Sequence, residues 1–341
     1  MALKRVTMQA IADACGLSRN TVSKVFNRRG SVPEATRRLV LDKARELGYY
    51  QYSLKDVSVD KGGGNIALLA QHKFLSHFFG THFFTSFTGQ ATQAGYTIQM
   101  YEVSPEDIAA RQLPSILDLS QTVGILGIEL FDRDYIDVIC SLGIPTVFVD
   151  GFAGANEALI QCDYVSMENS TSEATIVSRM IEGGARRLGF IGDIRHCNSF
   201  YERWLGFRAA LGQAGLPVDE DLCILAKDGD HYGDIEWIVG QLVALPAMPD
   251  AFACANDYLA VKLMTALKSM GLSIPKDVMV TGFGGSTEAR IIEPSLTSAY
   301  IPSGDIGRLA AVLLARRIEM PDFPFHWTYV KTTPMWGGST R

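Results

Sequence analysis

Much is missing from this chain of 341 residues, and each gap removes a class of function. No apolar run is long enough to span a bilayer. The opening "MALKRVTMQA" has basic residues but neither the apolar core nor the processing site of an export signal, so the expected location is the cytoplasm. The six cysteines (Cys15, Cys140, Cys162, Cys197, Cys223 and Cys254) are scattered without a CxxC pair, which suits reduced thiols better than disulfides or a zinc site. His72, His77 and His82 recur five apart, a spacing that shares no helical face and finds no carboxylate or cysteine to complete a metal set. Neither GxGxxG nor GxxxxGK[ST] is complete, and "GGG" at 62–64 precedes its strand, the wrong order for a dinucleotide fold. No GxSxG elbow occurs, and "MWGGSTR" at the end carries no heptad coil. No catalysis, metal or cofactor is expected.

What is present is unevenly distributed. Residues 1–50 hold ten Lys or Arg against four Asp or Glu, a net of +6. The whole chain is −6, so the remainder stands at −12. Such asymmetry suggests a small basic part facing a polyanion and an acidic bulk with another task. Between them "YYQYSLKDVSVDKGGGN" (49–65) has linker composition.

From Asn65 onward, short β-branched or apolar runs appear at 65–70, 96–103, 123–130, 144–151, 187–193, 250–257, 277–283 and 296–301. Helical stretches lie between them, for example at 168–183, 202–215, 256–270 and 303–319. Alternation of this kind predicts βαβ units and parallel sheets covered on both faces. The strands outnumber what one small sheet needs, so two lobes are expected, with a ligand crevice at the strand carboxyl ends.

The basic part reads "VTMQAIADACGLSRNTVSKVFN". Thr7 can cap a helix from Met8 to Cys15, with Met8, Ile11, Ala12 and Cys15 on one face. Gly16 ends it, Leu17 plugs the turn, and Ser18 caps a second helix, Arg19 to Phe26, whose Val22 and Val25 point back at the first. A third helix follows in "PEATRRLVLDKARELGY", with Leu39, Val40, Ala44 and Leu47 expected inward. Two short helices across a tight glycine turn form a helix-turn-helix, whose second helix would enter a major groove. Arg19 offers two donors to guanine, Asn20 pairs bidentately with adenine, and Lys24 reaches a base or phosphate. Thr7, Ser18, Thr21, Ser23 and Asn27 carry short hydroxyl or amide groups suited to phosphates.

This segment, with "RLGFIGD", "ERWLGFRAAL", "ANDYLAVKLMTALKSMGLSIPKDVMVTGF" and "PSLTSAYIPSGDIGRLAAVLL", resembles the lactose/galactose repressor family of bacterial transcription regulators, essentially from end to end. The resemblance implies a helical DNA-binding headpiece (1–50) and a hinge (51–64). It also implies an α/β, two-lobed, periplasmic-binding-protein-like effector and dimerisation domain with parallel sheets and three crossovers (65–341). Lobe 1 would take about 65–163 and 294–324, and lobe 2 about 164–293 and 325–341. The partners implied are an operator in double-stranded DNA, a second copy of the chain and a small, carbohydrate-like effector. Ligand contacts would come from the loop around Phe74 to Phe79, Asp150, Arg203, Tyr232, Asn256 and Asp257. The family's minor-groove leucine falls on Ser58 here, leaving Leu54 or Val57 as the apolar wedge. Its Gly-Phe/Tyr-Asp after a late strand reads "GFGG" (282–285), which removes an acceptor for sugar hydroxyls and points to a more apolar or differently charged ligand. The alternatives are a regulator whose co-signal is a protein, and a solute-binding or sugar-modifying protein on the same α/β core.

Overall fold

The computed structural model describes residues 7–26, 32–47, 63–71, 78–154, 161–227 and 230–341. The chain divides into two units, Met1–Ser58 and Val59–Arg341.

The first unit holds α1 (Met8–Cys15), α2 (Arg19–Phe26) and α3 (Glu34–Glu46). Thr7 Oγ1 accepts the Ala10 N–H at 3.2 Å, and Gly16 ends α1 at φ 64, in the left-handed region that glycine enters without penalty. The Leu17 N–H then closes onto the Ala12 carbonyl at 2.9 Å, and Ser18 Oγ accepts the Thr21 N–H at 3.1 Å to start α2. Ile11, Ala12, Val22, Val25, Val40 and Ala44 form the core, with Met8, Cys15, Leu17 and Val32 packed around it. Two expected core residues lie outside it: Leu39 is 49% exposed and Leu47 38%. Val40 and Ala44, four apart on one face of α3, fill the seam; Leu39 is rotated about 100° from Val40, and Leu47 follows the last helical residue.

The second unit begins with β1 (Asn65–Ala70), α4 (Phe78–Gln93), β2 (Thr97–Glu102), α5 (Pro105–Ala110), β3 (Thr122–Ile128), α6 (Arg133–Ser141), β4 (Thr146–Val149) and β5 (Asp163–Met167). It continues with α7 (Ser170–Glu182), β6 (Leu188–Ile191), α8 (Asn198–Gln213), α9 (Ile235–Ala244), β7 (Ala251–Cys254), α10 (Asp257–Ser269), β8 (Met279–Thr281) and α11 (Thr287–Ile291). Last come β9 (Ser298–Tyr300), α12 (Ser303–Glu319), β10 (Trp327–Val330) and β11 (Thr333–Met335). The first sheet runs β2-β1-β3-β4-β5-β10, all parallel. Alternate residues of β1 feed opposite cores: Ile66 and Leu68 pack with Phe83, Phe87 and Leu314, while Ala67 and Leu69 pack with Tyr135 and Phe148. The second sheet is β6-β7-β8, extended by a Thr281–Thr297 bridge towards β9, which pairs antiparallel with β11.

The chain crosses between lobes three times, after β5, β9 and β10, as the family resemblance implies. The expected lobe limits need correction. β5 and β10 belong to the first sheet, whereas β9 lies with the second. The sequence hides β5 because its Asp163 and Ser166 are polar yet buried. Asp163 is matched by Arg317 of α12, which donates to both carboxylate oxygens at 2.8 and 3.1 Å. Arg317 also donates to the carbonyls of Pro321, Phe323 and Pro324, and so fixes the segment that leads back into β10.

Against the first sheet, α4 and α12 approach closely at Gly307, where a Cβ would lie 2.4 Å from the Phe83 carbonyl oxygen. The contact is with backbone, so Gly307→Val must separate the helices. It is expected to lower unfolding free energy by about 1–3 kcal/mol, measured by denaturant titration.

Candidate nucleic-acid interface and effector cleft

Helix α2 presents two unlike faces. Val22 and Val25 are buried, while Arg19, Asn20 and Lys24 are exposed on the other side. The helix holds no acidic residue, so the only charges on its exposed face, Arg19 and Lys24, are positive. Ser18 and Thr21 join hydroxyl to hydroxyl at 2.9 Å, and Ser23 is half-buried. Thr7 uses an acceptor lone pair in its cap and keeps its hydroxyl proton for a phosphate oxygen, while Ser18 and Thr21, which spend one proton on their mutual bond, keep one between them. Asn27, Leu54 and Val57 lie outside the described residues.

The first sheet reverses its strand order between β1 and β3, and a ligand crevice is expected at the carboxyl ends there. Gln71 and Glu129 follow those two strands, and Gln71 Nε2 donates to the Glu129 carbonyl at 3.2 Å. Asp150 follows β4, whose Val149 pairs with Ile128, so Glu129 and Asp150 leave adjacent strands at the same level. Both have positive φ, 52 and 58, a left-handed conformation that non-glycine residues adopt uncommonly. Asp150 accepts from Ser199 Oγ at 2.5 Å, Gly151 N at 2.9 Å, Ser199 N at 3.2 Å and Tyr164 Oη at 3.3 Å. Ser199 is in the first turn of α8, so Asp150 of one lobe is held by the other. The Glu129 carboxyl makes no hydrogen bond or ion pair among the described residues, and burial, then the nearby Asp150, push it up to about 7.

Arg203 of α8 is buried. Its Nε donates to Asn169 Oδ1 at 3.0 Å and its Nη1 to the Ala255 carbonyl at 2.6 Å, with the guanidinium 4.0 Å from the centre of the Phe283 ring. Nη2 is the nitrogen left to a ligand. Asn169 also donates to Glu202 Oε2 at 2.7 Å, and Tyr329 of β10 donates to Glu202 Oε1 at 2.7 Å, a second polar link between the lobes. Asn256 caps α10, accepting the Leu259 N–H at 2.9 Å, and keeps its amide donors. Phe131, His196 and Phe200 form an aromatic row across the lobes, with ring centres 4.8 and 5.5 Å apart.

Three expected ligand residues are otherwise engaged. Tyr232 is in the second lobe's core, its hydroxyl donating to the carbonyls of Ala226 (2.8 Å) and Ile224 (3.2 Å) and its ring against Trp237. Phe79 starts a stacked Phe79–Phe83–Phe87 ladder along α4 and packs on the first lobe's core. Asp257 is buried and accepts from Ser298 Oγ at 2.5 Å and Ser286 N at 2.7 Å. Phe74 lies outside the described residues. Asp150 and Asn256 remain just past strand carboxyl ends, and Arg203 reaches the end of β7 from α8; they are joined by Gln71, Glu129, Ser199, Glu202 and Tyr329, which sequence reasoning missed. "GIEL" and "FVDG", each a strand ending on an acid, were the available sign of the Glu129–Asp150 pair.

Residues 7–51 match the bacterial regulatory proteins, lacI family, and residues 177–340 match the periplasmic binding protein-like domain. The regulator CelR of Thermobifida fusca is 28% identical over 324 residues, 92% of each chain, and the repressor PurR of Photobacterium profundum 26%, again over 92% of each. The chain belongs to the lacI family. Among solved structures it is similar to a CelR–cellobiose complex (TM-score 0.72, 26% identity, 98% of this chain and 100% of that one). It shares its fold with a lac repressor dimer bound to operator (TM-score 0.66, 19% identity, 99% of each). These lacI-family relatives are transcriptional regulators rather than enzymes.

Within the lacI family, Gly284 of this chain now has a physical reason. Its φ is 146, and a Cβ there would lie 3.1 Å from Asp257 Oδ2. Asp257 thus occupies the space beside the backbone where the family's aspartate would branch, and spends its oxygens on the chain itself. Among the described residues no helix is long and apolar enough to cross a membrane.

Proposed function

We propose that this lacI-family regulator is a cytoplasmic repressor that binds a pseudo-palindromic operator as a homodimer. A small carbohydrate-like effector in the interlobe cleft controls it. The acid-free cationic face of α2, in a chain otherwise strongly acidic, carries the DNA half of this reading. CelR's cellobiose complex and a ribose complex of a relative from Enterococcus faecium support the effector half. Asp150, Ser199, Glu202 and Tyr329 tie the two lobes around the cleft, so a ligand seated there acts on lobe closure. A tenfold preference for one state shifts the balance by about 1.4 kcal/mol.

Arg19→Ala is expected to lose about 1–3 kcal/mol at one base position of the operator and to relax selectivity there. Lys24→Ala, if it meets phosphate, weakens all sequences alike and reduces the salt slope by about one. Fluorescence anisotropy across base-substituted duplexes at several salt concentrations separates the two. Equal losses on all duplexes for Arg19→Ala would remove it from base recognition.

A further inference from the structure

Resting on the effector reading above, we propose that the effector carries a protonated amino group, which Glu129 receives against the aromatic row of Phe131, His196 and Phe200. Three independent observations converge on this chemistry. The Asp150 carboxylate is fully occupied by four donors from the chain, so it supplies negative potential but needs nothing from a ligand. The Glu129 carboxyl beside it accepts no hydrogen bond among the described residues, and the nearby His196 imidazole only partly offsets the field of Asp150. A half-buried carboxyl with no donor from the chain is open to one supplied by a ligand.

The third observation selects a cation over a hydroxyl. Phe131 is two residues beyond Glu129, and its ring meets His196 edge-on, with Phe200 behind. Aromatic faces attract ammonium groups more strongly than neutral donors, and the bond to a carboxylate is stronger when the donor is charged. A bound cation offsets both the burial and, after it, the Asp150 charge that raise Glu129. Binding of the ammonium therefore expels a proton from Glu129. Arg203 lies on the side of Asn169 and Ala255, its guanidinium 4.0 Å from the centre of the Phe283 ring and 5.7 Å from that of Phe200, which leaves the Phe131 end of the row, beside Glu129, to the ligand.

Isothermal calorimetry on the full-length protein at neutral pH tests this with two matched pairs, glucose against glucosamine and cellobiose against its β-1,4-linked diamino counterpart. The amino member of at least one pair should bind at least about tenfold more tightly than its hydroxyl counterpart. Runs in two buffers of different ionisation enthalpy should show proton release with the wild type and less of it with Glu129→Gln, which should also lose the amine preference. The pairwise comparison uses wild-type protein alone, so it stands whether or not the variant folds. Equal or tighter binding of the neutral sugars, or an amine preference unchanged in E129Q, overturns the proposal and leaves a carbohydrate effector standing. Binding of none of the four sugars overturns both.

Discussion

Arg317→Met is expected to destabilise the second unit by about 3–5 kcal/mol, the largest loss among the substitutions considered, because it leaves Asp163 buried without its cation. Arg317 and Asp163 are each about 4% exposed and joined by two hydrogen bonds. The same guanidinium holds three carbonyls of residues 321–324, so the loss spreads into the return path to β10. Methionine matches much of the arginine stem, so little cavity is left and the effect reports the charge. The double variant with Asp163→Leu removes the stranded carboxylate as well, and it should recover most of the stability. Urea titrations of the single and double variants check this; a double variant no more stable than the single would mean that the carbonyl contacts, not the ion pair, hold the crossover.

The second large effect has the opposite sign. Glu173 of α7 is 1% exposed, and neither carboxyl oxygen has a hydrogen-bond partner among the described residues. It sits where α8 crosses α7, since a Cβ on Gly206 would be 2.9 Å from the Glu173 Cβ. Burial pushes its carboxyl up to about 8, partly opposed by Arg203. The unfolded chain ionises near the ordinary glutamate value, well below that of the folded chain. Below it the group is protonated in both states and costs nothing. Between it and about pH 8 the unfolded state alone ionises, so stability falls as pH rises; above about 8 the full penalty is in place. Glu173→Gln should therefore match wild type at acid pH and exceed it by roughly 3–5 kcal/mol in mild alkali. Thermal melts from acid to alkaline pH should diverge steadily; parallel curves would show that Glu173 does not titrate in the folded state.

The headpiece was legible residue by residue because its determinants are local. Thr7, Gly16 and Ser18 act within four residues of themselves, and the Val22–Val25 face follows from helical period alone. Leu39 and Leu47 went astray where an apolar residue neighboured the true seam. In the second unit the strands with β-branched runs were plain. β5 was not, since "DYVSM" buries an aspartate whose partner lies at position 317, far along the chain. β10 and β11 are short and partly exposed, so they lack the buried signature.

The cleft divides the same way. Asp150 and Arg203 fall at strand and helix ends that any α/β fold turns towards its crevice. Tyr232 and Asp257 look alike in sequence, but Tyr232 is claimed by two carbonyls, and Asp257 by Ser286 and Ser298. Glu129 went unnoticed because its importance comes from a neighbour on the next strand and from a partner it lacks.

The most direct measurement is selection of bound sites from random duplex DNA by the purified chain, followed by anisotropy on the selected and scrambled duplexes at moderate salt. A cationic α2 reading bases from a symmetric pair of headpieces requires a twofold-related consensus. It also requires a preference over scrambled DNA of about a thousandfold or more. Enrichment of no consensus, with every duplex bound equally, would contradict it.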